Sequence, residues 1–136
     1  MKNIIKKILK EYDDEFEFAQ NIVNQLKYYE DKESKGYLNA ENKRIGLWTF
    51  YYENGELNSK GEYIDSIMVG PWEYYYKNGV LSAKGEFMDN ERNGLWEYYY
   101  NNGQLHSKGR YIDGIQSGLW EYYYSDGIRV PDFNHD

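Results

Sequence analysis

Four tryptophans divide most of this chain into equal intervals. Trp48, Trp72, Trp96 and Trp120 each follow the previous one by 24 residues. Three sets of glycines keep the same spacing: Gly46, Gly70, Gly94 and Gly118; Gly55, Gly79, Gly103 and Gly127; and Gly61, Gly85 and Gly109. A fixed period held at four positions predicts a repeat architecture, in which each unit buries its apolar side chains against its neighbours.

Each period predicts a β-hairpin. Residues 70–93 read GPWEYYYKNGVLSAKGEFMDNERN, and the segment 72–76 is rich in strand-favouring aromatic residues. Asn78-Gly79 predicts a two-residue type I′ turn, because both of its central positions need positive φ. The units predicted in this way are 46–69, 70–93, 94–117 and an incomplete 118–127.

A two-residue turn at Asn78-Gly79 fixes the pairing of the two strands. It predicts Lys77 opposite Val80, Tyr76 opposite Leu81, Tyr74 opposite Ala83, Glu73 opposite Lys84 and Trp72 opposite Gly85. We expect the Trp72 ring to lie across the bare backbone of Gly85 and Glu73 to pair with Lys84. The same pairings recur at Trp96–Gly109 and Glu97–Lys108, whereas beside Trp48–Gly61 the acid opposite Lys60 is replaced by Thr49.

Strand alternation separates the side chains of each unit into two faces. One face is predicted to carry the aromatic core: Trp72, Tyr74, Tyr76, Leu81, Ala83, Gly85 and Phe87. The other carries Glu73, Tyr75, Ser82, Lys84 and Glu86. Because a second short connection, at Asp65-Ser66, Asp89-Asn90 and Asp113-Gly114, leads to the next Gly-x-Trp strand, the fold class is mainly β. It is an elongated, single-layer antiparallel meander of 24-residue hairpins.

The segments flanking the repeats differ from them. Apolar residues at helical spacing predict an N-terminal helical cap over 1–27, either one bent helix or two short ones. We expect it to pack over the Trp/Tyr face or against the first strand. Residues 28–45 keep Tyr-Tyr-Glu and Ser-Lys-Gly and form a degenerate half-repeat. The tail 128–136 lacks the repeat pattern and contains Pro131, so it predicts a C-terminal cap.

Charge and composition limit the functions that are open to the chain. The net charge is −7, and residues 46–127 hold 12 acidic and 6 basic side chains, a net charge of −6. This argues against direct nucleic-acid binding, which needs a basic groove. The chain has no cysteine, which excludes disulfides and is consistent with a cytoplasmic location. The Lys-rich N-terminus could bind a membrane surface, but the acids that follow it cancel its charge.

Residues able to carry catalysis or bind metal are few. His106 and His135 are the only histidines, and His106 stands where sister units have Asn58 or Ser82. Asp65, Asp89 and Asp113 recur every 24 residues, which is better explained by turn chemistry than by metal sites. We therefore expect no cofactor, no metal and no enzymatic activity.

The repeat pattern resembles a known family. Gly-x-Trp-x-x-Tyr-Tyr-x-Asn-Gly-x-Leu-x-x-Lys-Gly-x-Tyr over about 46–127, extending weakly to Tyr28, is similar to the bacterial variant of the MORN repeat. The resemblance implies elongated single-layer β-meanders without a catalytic motif. It also implies a role like that of antitoxins in toxin–antitoxin systems.

The sequence thus predicts a non-enzymatic protein-binding module. A basic partner such as a toxin or nuclease would contact an acidic, tyrosine-rich face, with these candidate residues: Glu73, Tyr75, Glu97, Tyr99, Glu121 and Tyr123. Two alternatives are a structural scaffold or membrane-associated spacer, and a phage-type inhibitor that imitates nucleic acid toward a host defence nuclease. Pairing of open sheet edges into a homodimer is a further possibility.

Overall fold

A computed structural model describes residues 2–132, which form one helix followed by one open antiparallel sheet of nine strands. Each strand pairs with the next one in the chain, as predicted for a meander. The mainly β fold class is therefore confirmed. The elements are α1 (Lys2–Asn24), β1 (Lys27–Glu30), β2 (Ser34–Leu38), β3 (Arg44–Tyr51), β4 (Leu57–Ile64), β5 (Ile67–Tyr75), β6 (Leu81–Met88), β7 (Glu91–Tyr99), β8 (Leu105–Ile112) and β9 (Ile115–Tyr122).

The predicted register is confirmed in the middle of each hairpin. In the second unit, Trp72 lies opposite Gly85, Glu73 opposite Lys84 and Tyr74 opposite Ala83. The third unit repeats the first two pairs at Trp96–Gly109 and Glu97–Lys108. Since side chains alternate along each strand, this register places Trp72 and Tyr74 on one face and Glu73 and Lys84 on the other. The predicted faces of Leu81 and Ser82 are wrong, because Leu81 pairs with Tyr75 and Ser82 lines a groove with Tyr74 and Ala83.

The turn at Asn78-Gly79 differs from the prediction. The Gly79 N–H donates to the Tyr76 carbonyl at 2.9 Å, and the Tyr76 N–H donates to the Val80 carbonyl at 2.8 Å. These bonds close a three-residue loop in which only Gly79 has positive φ, 85°. The predicted type I′ turn, and with it the pairs Lys77–Val80 and Tyr76–Leu81, is wrong. A bulge where Tyr75 pairs with Leu81 absorbs the extra loop residue and restores the register.

Two-residue turns with positive φ lie at the opposite end of the sheet. Ile64 pairs with Ile67, and the intervening Asp65 and Ser66 have φ of 48° and 65°. The same conformation recurs at Asp89-Asn90 and Asp113-Gly114. Short polar side chains and glycine tolerate this left-handed region, so the recurring aspartates belong to turn formation.

The core consists of aromatic rings packed within the single layer. Trp48, Trp72 and Trp96 expose only 1%, 2% and 0% of their surface. Each is flanked edge-on by a ring from a neighbouring strand, as Trp72 is by Tyr63 with centroids 5.2 Å apart. On the face that was expected to need a cover, these tryptophans are therefore already shielded by neighbouring side chains, while Tyr74 and Phe87 are partly buried.

The N-terminal helix does not cover this face. Helix α1 is continuous from Lys2 to Asn24, and none of its described residues is buried. Ile8, Phe16 and Val23 expose 56%, 66% and 56% of their surface. The expectation that α1 packs over the Trp/Tyr face or against the first strand is therefore wrong, since the tryptophans are already shielded from solvent and every residue of β1 is exposed.

Each tryptophan lies over a glycine of the preceding unit. A methyl group added at Gly85 would overlap the Trp96 ring, whereas Trp72, which was predicted to cover Gly85, lies over Gly61. The same relation holds for Trp48 over Gly36 and Trp120 over Gly109. The expected ring–glycine contact within a hairpin is therefore corrected to a contact between successive units. The register could not separate the two, since Trp72 pairs with both Gly61 and Gly85.

Polar side chains at the loop end also join successive units. The Tyr76 hydroxyl donates to the Tyr99 carbonyl at 2.5 Å, and the Asn78 amide donates to the Asn101 carbonyl at 3.2 Å. The neighbouring units repeat both bonds. Asn78 thus serves as an inter-unit donor, while Gly79 supplies the positive φ of the loop.

A double-mutant cycle tests the ring–glycine assignment. We expect Gly85→Ala to lower the free energy of unfolding by about 1–3 kcal/mol, because the new methyl overpacks the Trp96 ring. This loss should shrink in a Trp96→Leu background and persist in a Trp72→Leu background. Urea unfolding measures both couplings. A loss relieved by Trp72→Leu instead would contradict the assignment.

Candidate protein-binding surface

The predicted partner-binding residues form a regular ladder on the face opposite the tryptophans. The Tyr75 hydroxyl donates to the Glu73 carboxylate, and the Tyr99 hydroxyl donates to Glu97 at 2.6 Å. The pair Tyr123–Glu121 repeats the bond at 2.8 Å. The structure therefore brings all six predicted residues onto one face in three equivalent steps.

Lysines from the preceding unit neutralise this ladder. Lys60 pairs with Glu73 at 3.3 Å, Lys84 with Glu97 at 3.4 Å and Lys108 with Glu121 at 3.3 Å. The ion pairs expected inside one hairpin, Glu73–Lys84 and Glu97–Lys108, are register neighbours, but each carboxylate bridges to the lysine on its other side. The resulting Glu–Tyr–Lys ladder contains three acids and three bases, so it carries no net charge.

The contacts of the ladder shift the pKa values of its members. The Tyr75 hydroxyl and Lys60 together hold the pKa of Glu73 below its usual value, and Tyr99 and Lys84 do the same for Glu97. Partial burial and the hydrogen bond to its glutamate raise the pKa of Tyr75 to about 12, and the same causes raise the pKa of Tyr99 to about 12. At neutral pH the ladder therefore holds ionised carboxylates and neutral phenols.

An exposed apolar strip lies on the same face, toward the two-residue turns. Ile64, Met88 and Ile112 expose 58%, 56% and 59% of their surface. They follow the ladder lysines by four residues on β4, β6 and β8, so strand alternation puts them on the ladder's face. The full apolar strip comprises Leu47, Ile64, Ile67, Pro71, Met88, Leu95, Ile112, Ile115 and Leu119.

Acidic residues without an ion pair stand inside this strip. Glu62 and Glu86 are exposed, and neither forms an ion pair with any residue in the described part of the chain. Glu62 lies opposite Leu47, and Glu86 lies opposite Pro71. A shallow groove beside Glu86 is lined by Pro71, Leu95 and the ladder residues Glu73, Lys84 and Glu97. In the third unit the equivalent position, opposite Leu95, holds Arg110, so these three positions inside the apolar strip carry a net charge of −1.

Sequence reasoning missed the apolar strip, although the sequence contains the signal. Ile64, Met88 and Ile112 recur every 24 residues, and counting alternate positions from Lys60 reaches Glu62 and then Ile64. The second position of each Gly-x-Trp, occupied by Leu47, Pro71, Leu95 and Leu119, is also apolar throughout. Alternation from Glu97 back to Leu95 places this position on the ladder's face as well. Of the strip residues, only Ile67 and Ile115 precede the bulges at Gly70 and Gly118, and alternation does not predict bulges.

The C-terminal edge of the sheet is partly covered by the segment after Gly127. The Val130 N–H donates to the Tyr122 carbonyl at 2.8 Å, and Tyr123 forms a bridge with Arg129. The Arg129 guanidinium lies 4.0 Å from Glu121, on the side where the next unit's lysine would stand. Pro131 lies just beyond these contacts, and the tail after Asp132 is outside the described residues.

Other candidate chemistry does not assemble into a site. The His106 ring packs edge-on against Tyr100, with centroids 4.7 Å apart, and contacts the Ser107 hydroxyl. His135 lies outside the described residues. Over residues 2–132, no group of three or more His, Cys, Asp or Glu side chains is placed to hold a metal ion. Within the same range, no helix is both long and apolar enough to cross a membrane.

The geometry of the sheet agrees with the comparison with known families. Residues 44–65, 68–89 and 92–113 each match the MORN repeat variant. Within residues 44–113 the chain is therefore similar to three tandem copies of this repeat. Each match begins near the start of an odd strand from β3 to β7 and ends at the following two-residue turn, so one MORN repeat is one hairpin. A comparison with curated proteins found no match.

The MORN repeats indicate a binding module. MORN repeats are generally binding rather than catalytic elements, and they point to protein or membrane binding. In this chain they present two different faces, an aromatic one that is mostly self-buried and one that combines the ladder with the apolar strip.

The pKa shifts of the ladder predict an acid-sensitive stability. Because the pKa values of Glu73 and Glu97 are lower in the folded than in the unfolded chain, the unfolded state binds more protons as the pH falls below about 5. The free energy of unfolding should therefore decrease on acidification. We expect the variant Glu73→Gln/Glu97→Gln to be less stable at pH 7, by about 0.2–1 kcal/mol per carboxylate, and to lose less stability between pH 6 and pH 3.

Urea unfolding as a function of pH measures this difference. The variant Glu53→Gln/Glu56→Gln is the matched control, because it removes two exposed carboxylates that form no ion pair within the described residues. The control should follow the wild-type pH profile. Identical acid profiles for wild type and the ladder variant would show that the ladder contributes nothing to stability.

Proposed function

We propose that this MORN-repeat chain binds a basic partner protein through the face opposite its tryptophans. The observation that supports this best is the exposed apolar strip, interrupted by Glu62 and Glu86. Large apolar side chains clustered at a surface and bordered by polar groups are typical of protein interfaces. The proposed contact centre is therefore the apolar strip, and the Glu–Tyr–Lys ladder forms its border.

The ladder contributes tyrosine side chains to this interface. Tyr75, Tyr99 and Tyr123 are held in fixed orientations by their bonds to the glutamates, so little side-chain entropy is lost when a partner contacts them. Tyrosine is enriched among residues that dominate binding energy. The six residues predicted from sequence thus remain candidates, in a supporting position.

Charge favours a basic partner over an acidic one or an anionic lipid surface. The repeats carry net −6, and because the ladder is balanced, this excess lies on other residues, among them Glu62 and Glu86. Complementary charge speeds association and selects against acidic partners. An antitoxin or immunity-type inhibitor of a basic toxin or nuclease would use such a surface, and we propose this class of role.

A matched pair of isoleucine substitutions tests the proposed surface. Ile112 lies in the strip with 59% exposure, and Ile128 lies outside it, in the C-terminal turn, with 62% exposure. Tagged wild type, Ile112→Lys and Ile128→Lys would each be used to recover proteins from the native host, and the basic protein recovered by wild type would then be purified for titration.

We expect Ile112→Lys to weaken binding at least tenfold, because it removes an apolar contact and adds a charge that repels a basic partner. Ile128→Lys should bind as wild type does, and wild-type affinity should fall as salt is raised. Equal binding by both variants, or a partner that is acidic, would contradict the proposal. Recovery only in the membrane fraction would favour the spacer alternative.

A further inference from the structure

Helix α1 carries a second apolar surface, which has no packing partner among residues 2–132 and whose residues have a specific spacing. Six of its apolar residues follow one another at alternating intervals of four and three: Ile5, Leu9, Tyr12, Phe16, Ala19 and Val23. Four further apolar residues lie outside this series: Ile4, Ile8, Phe18 and Ile22. This 3.5-residue period is that of a two-helix coiled-coil seam. The large members of the seam expose 53% to 74% of their surface. An isolated helix of this length gains little stability without packing, so the seam predicts a partner helix.

The charges beside the seam are separated into two blocks along the helix. Residues 2–10 contain four lysines and no acid, whereas residues 11–17 contain five acids and no base. Two such helices side by side in parallel would place lysines against lysines and acids against acids. An antiparallel pair places the basic block of one helix beside the acidic block of the other.

We propose that α1 pairs antiparallel with α1 of a second copy of this chain. Antiparallel registers that keep the seam in contact differ by steps of seven residues. With Tyr12 opposite Phe16 in the seam, the residues that meet beside the seam are Asp13 and Asp13 of the other copy. With Leu9 opposite Tyr12, the residues that meet beside the seam are Lys6 and Asp13. This pair occurs twice, because each copy supplies one lysine and one aspartate. Electrostatics therefore selects the second register.

This dimer is independent of the binding surface proposed above. The pairing uses α1 alone and leaves the sheet's exposed face free, so each dimer would present two copies of the apolar strip. A partner with two binding positions would then gain affinity through the raised effective concentration of the second contact.

Two phenylalanines of α1 provide a matched test of the seam. Phe16 lies in the seam with 66% exposure, and Phe18 lies off it with 68% exposure. Light scattering coupled to size-exclusion chromatography would give the mass of the full-length wild type, Phe16→Glu and Phe18→Glu. Tryptophan fluorescence would verify that the sheet is folded in each.

Wild type and Phe18→Glu should be dimers, whereas Phe16→Glu should dissociate at concentrations at least tenfold higher. A monomeric wild type, or equal dissociation of the two variants, overturns the proposal. A monomeric wild type overturns the dimer even if it binds anionic vesicles. Such binding would assign the apolar seam of α1 to a membrane surface.

Charge reversal tests the orientation and the register. Lys6→Glu alone sets two acids against each other in both pairs, and Asp13→Lys alone sets two lysines against each other, so each variant should be largely monomeric. In a mixture of the two variants, a heterodimer has two pairs of opposite charge. One joins the unchanged Lys6 of one copy to the unchanged Asp13 of the other, and the second joins the two substituted side chains. The mixture should therefore form a heterodimer with near wild-type affinity. Failure of the mixture to associate while wild type is a dimer would overturn the antiparallel register.

A distance measurement supplies a second readout of orientation. Since the chain has no cysteine, Asn3→Cys provides a single site for a spin label. In the proposed register Asn3 lies opposite Phe18, so the two labelled backbone sites are about 22 Å apart along the axis and about 10 Å across it. A parallel pair would bring them within about 10 Å, and that shorter distance would contradict the proposal.

Discussion

The contact between each tryptophan ring and a glycine of the preceding unit is the interaction on which this structure depends. A large indole can be buried in a single-layer sheet only where the neighbouring strand offers no side chain beneath it. Gly36, Gly61, Gly85 and Gly109 supply that space. The indole N–H of Trp96 also donates to the Glu86 carbonyl at 3.0 Å, so one side chain fixes both packing and register between units.

Other inter-unit contacts act between the same neighbours. Lysine–glutamate pairs on the opposite face, and tyrosine and asparagine bonds at the loop end, all join one unit to the next. Each unit is therefore completed by the one that follows it, as in other solenoid-like proteins. Since the core is satisfied within one layer, the sheet needs no covering element. Its second face and the helix seam are left available for binding.

Part of this structure was accessible from the sequence for clear reasons. The 24-residue period predicted the meander, the position of the Asn78-Gly79 turn predicted the register, and strand alternation predicted the two faces around Trp72 and Gly85. The Asn78-Gly79 turn type was wrong, yet the register survived because a bulge compensated for the longer loop. The direction of the Trp and Glu contacts was also wrong, because Trp72 and Glu73 each have register partners on both sides and pairing alone does not choose between them.

The candidate site was predicted less completely. The ladder residues from Glu73 to Tyr123 were placed on one face correctly, but their neutralisation by lysines of the preceding unit depends on side-chain geometry. The apolar strip was missed although alternation from Glu73 to Pro71 and from Lys84 to Met88 reaches it, and only Ile67 and Ile115 stand before glycine bulges that reset the alternation. The helix was expected to pack against the sheet, and only its exposure revealed that its apolar seam packs against no part of the chain that the structure describes.

Proton NMR tests the central claim, that tryptophans bridge units, most directly. The α-protons of Gly36, Gly61, Gly85 and Gly109 should be shifted strongly upfield, because they lie against the faces of indole rings. The nuclear Overhauser effects of the Gly85 α-protons should lead to the ring of Trp96. Effects from Gly85 to the ring of Trp72, with none to Trp96, would contradict this account and restore a core built within single hairpins.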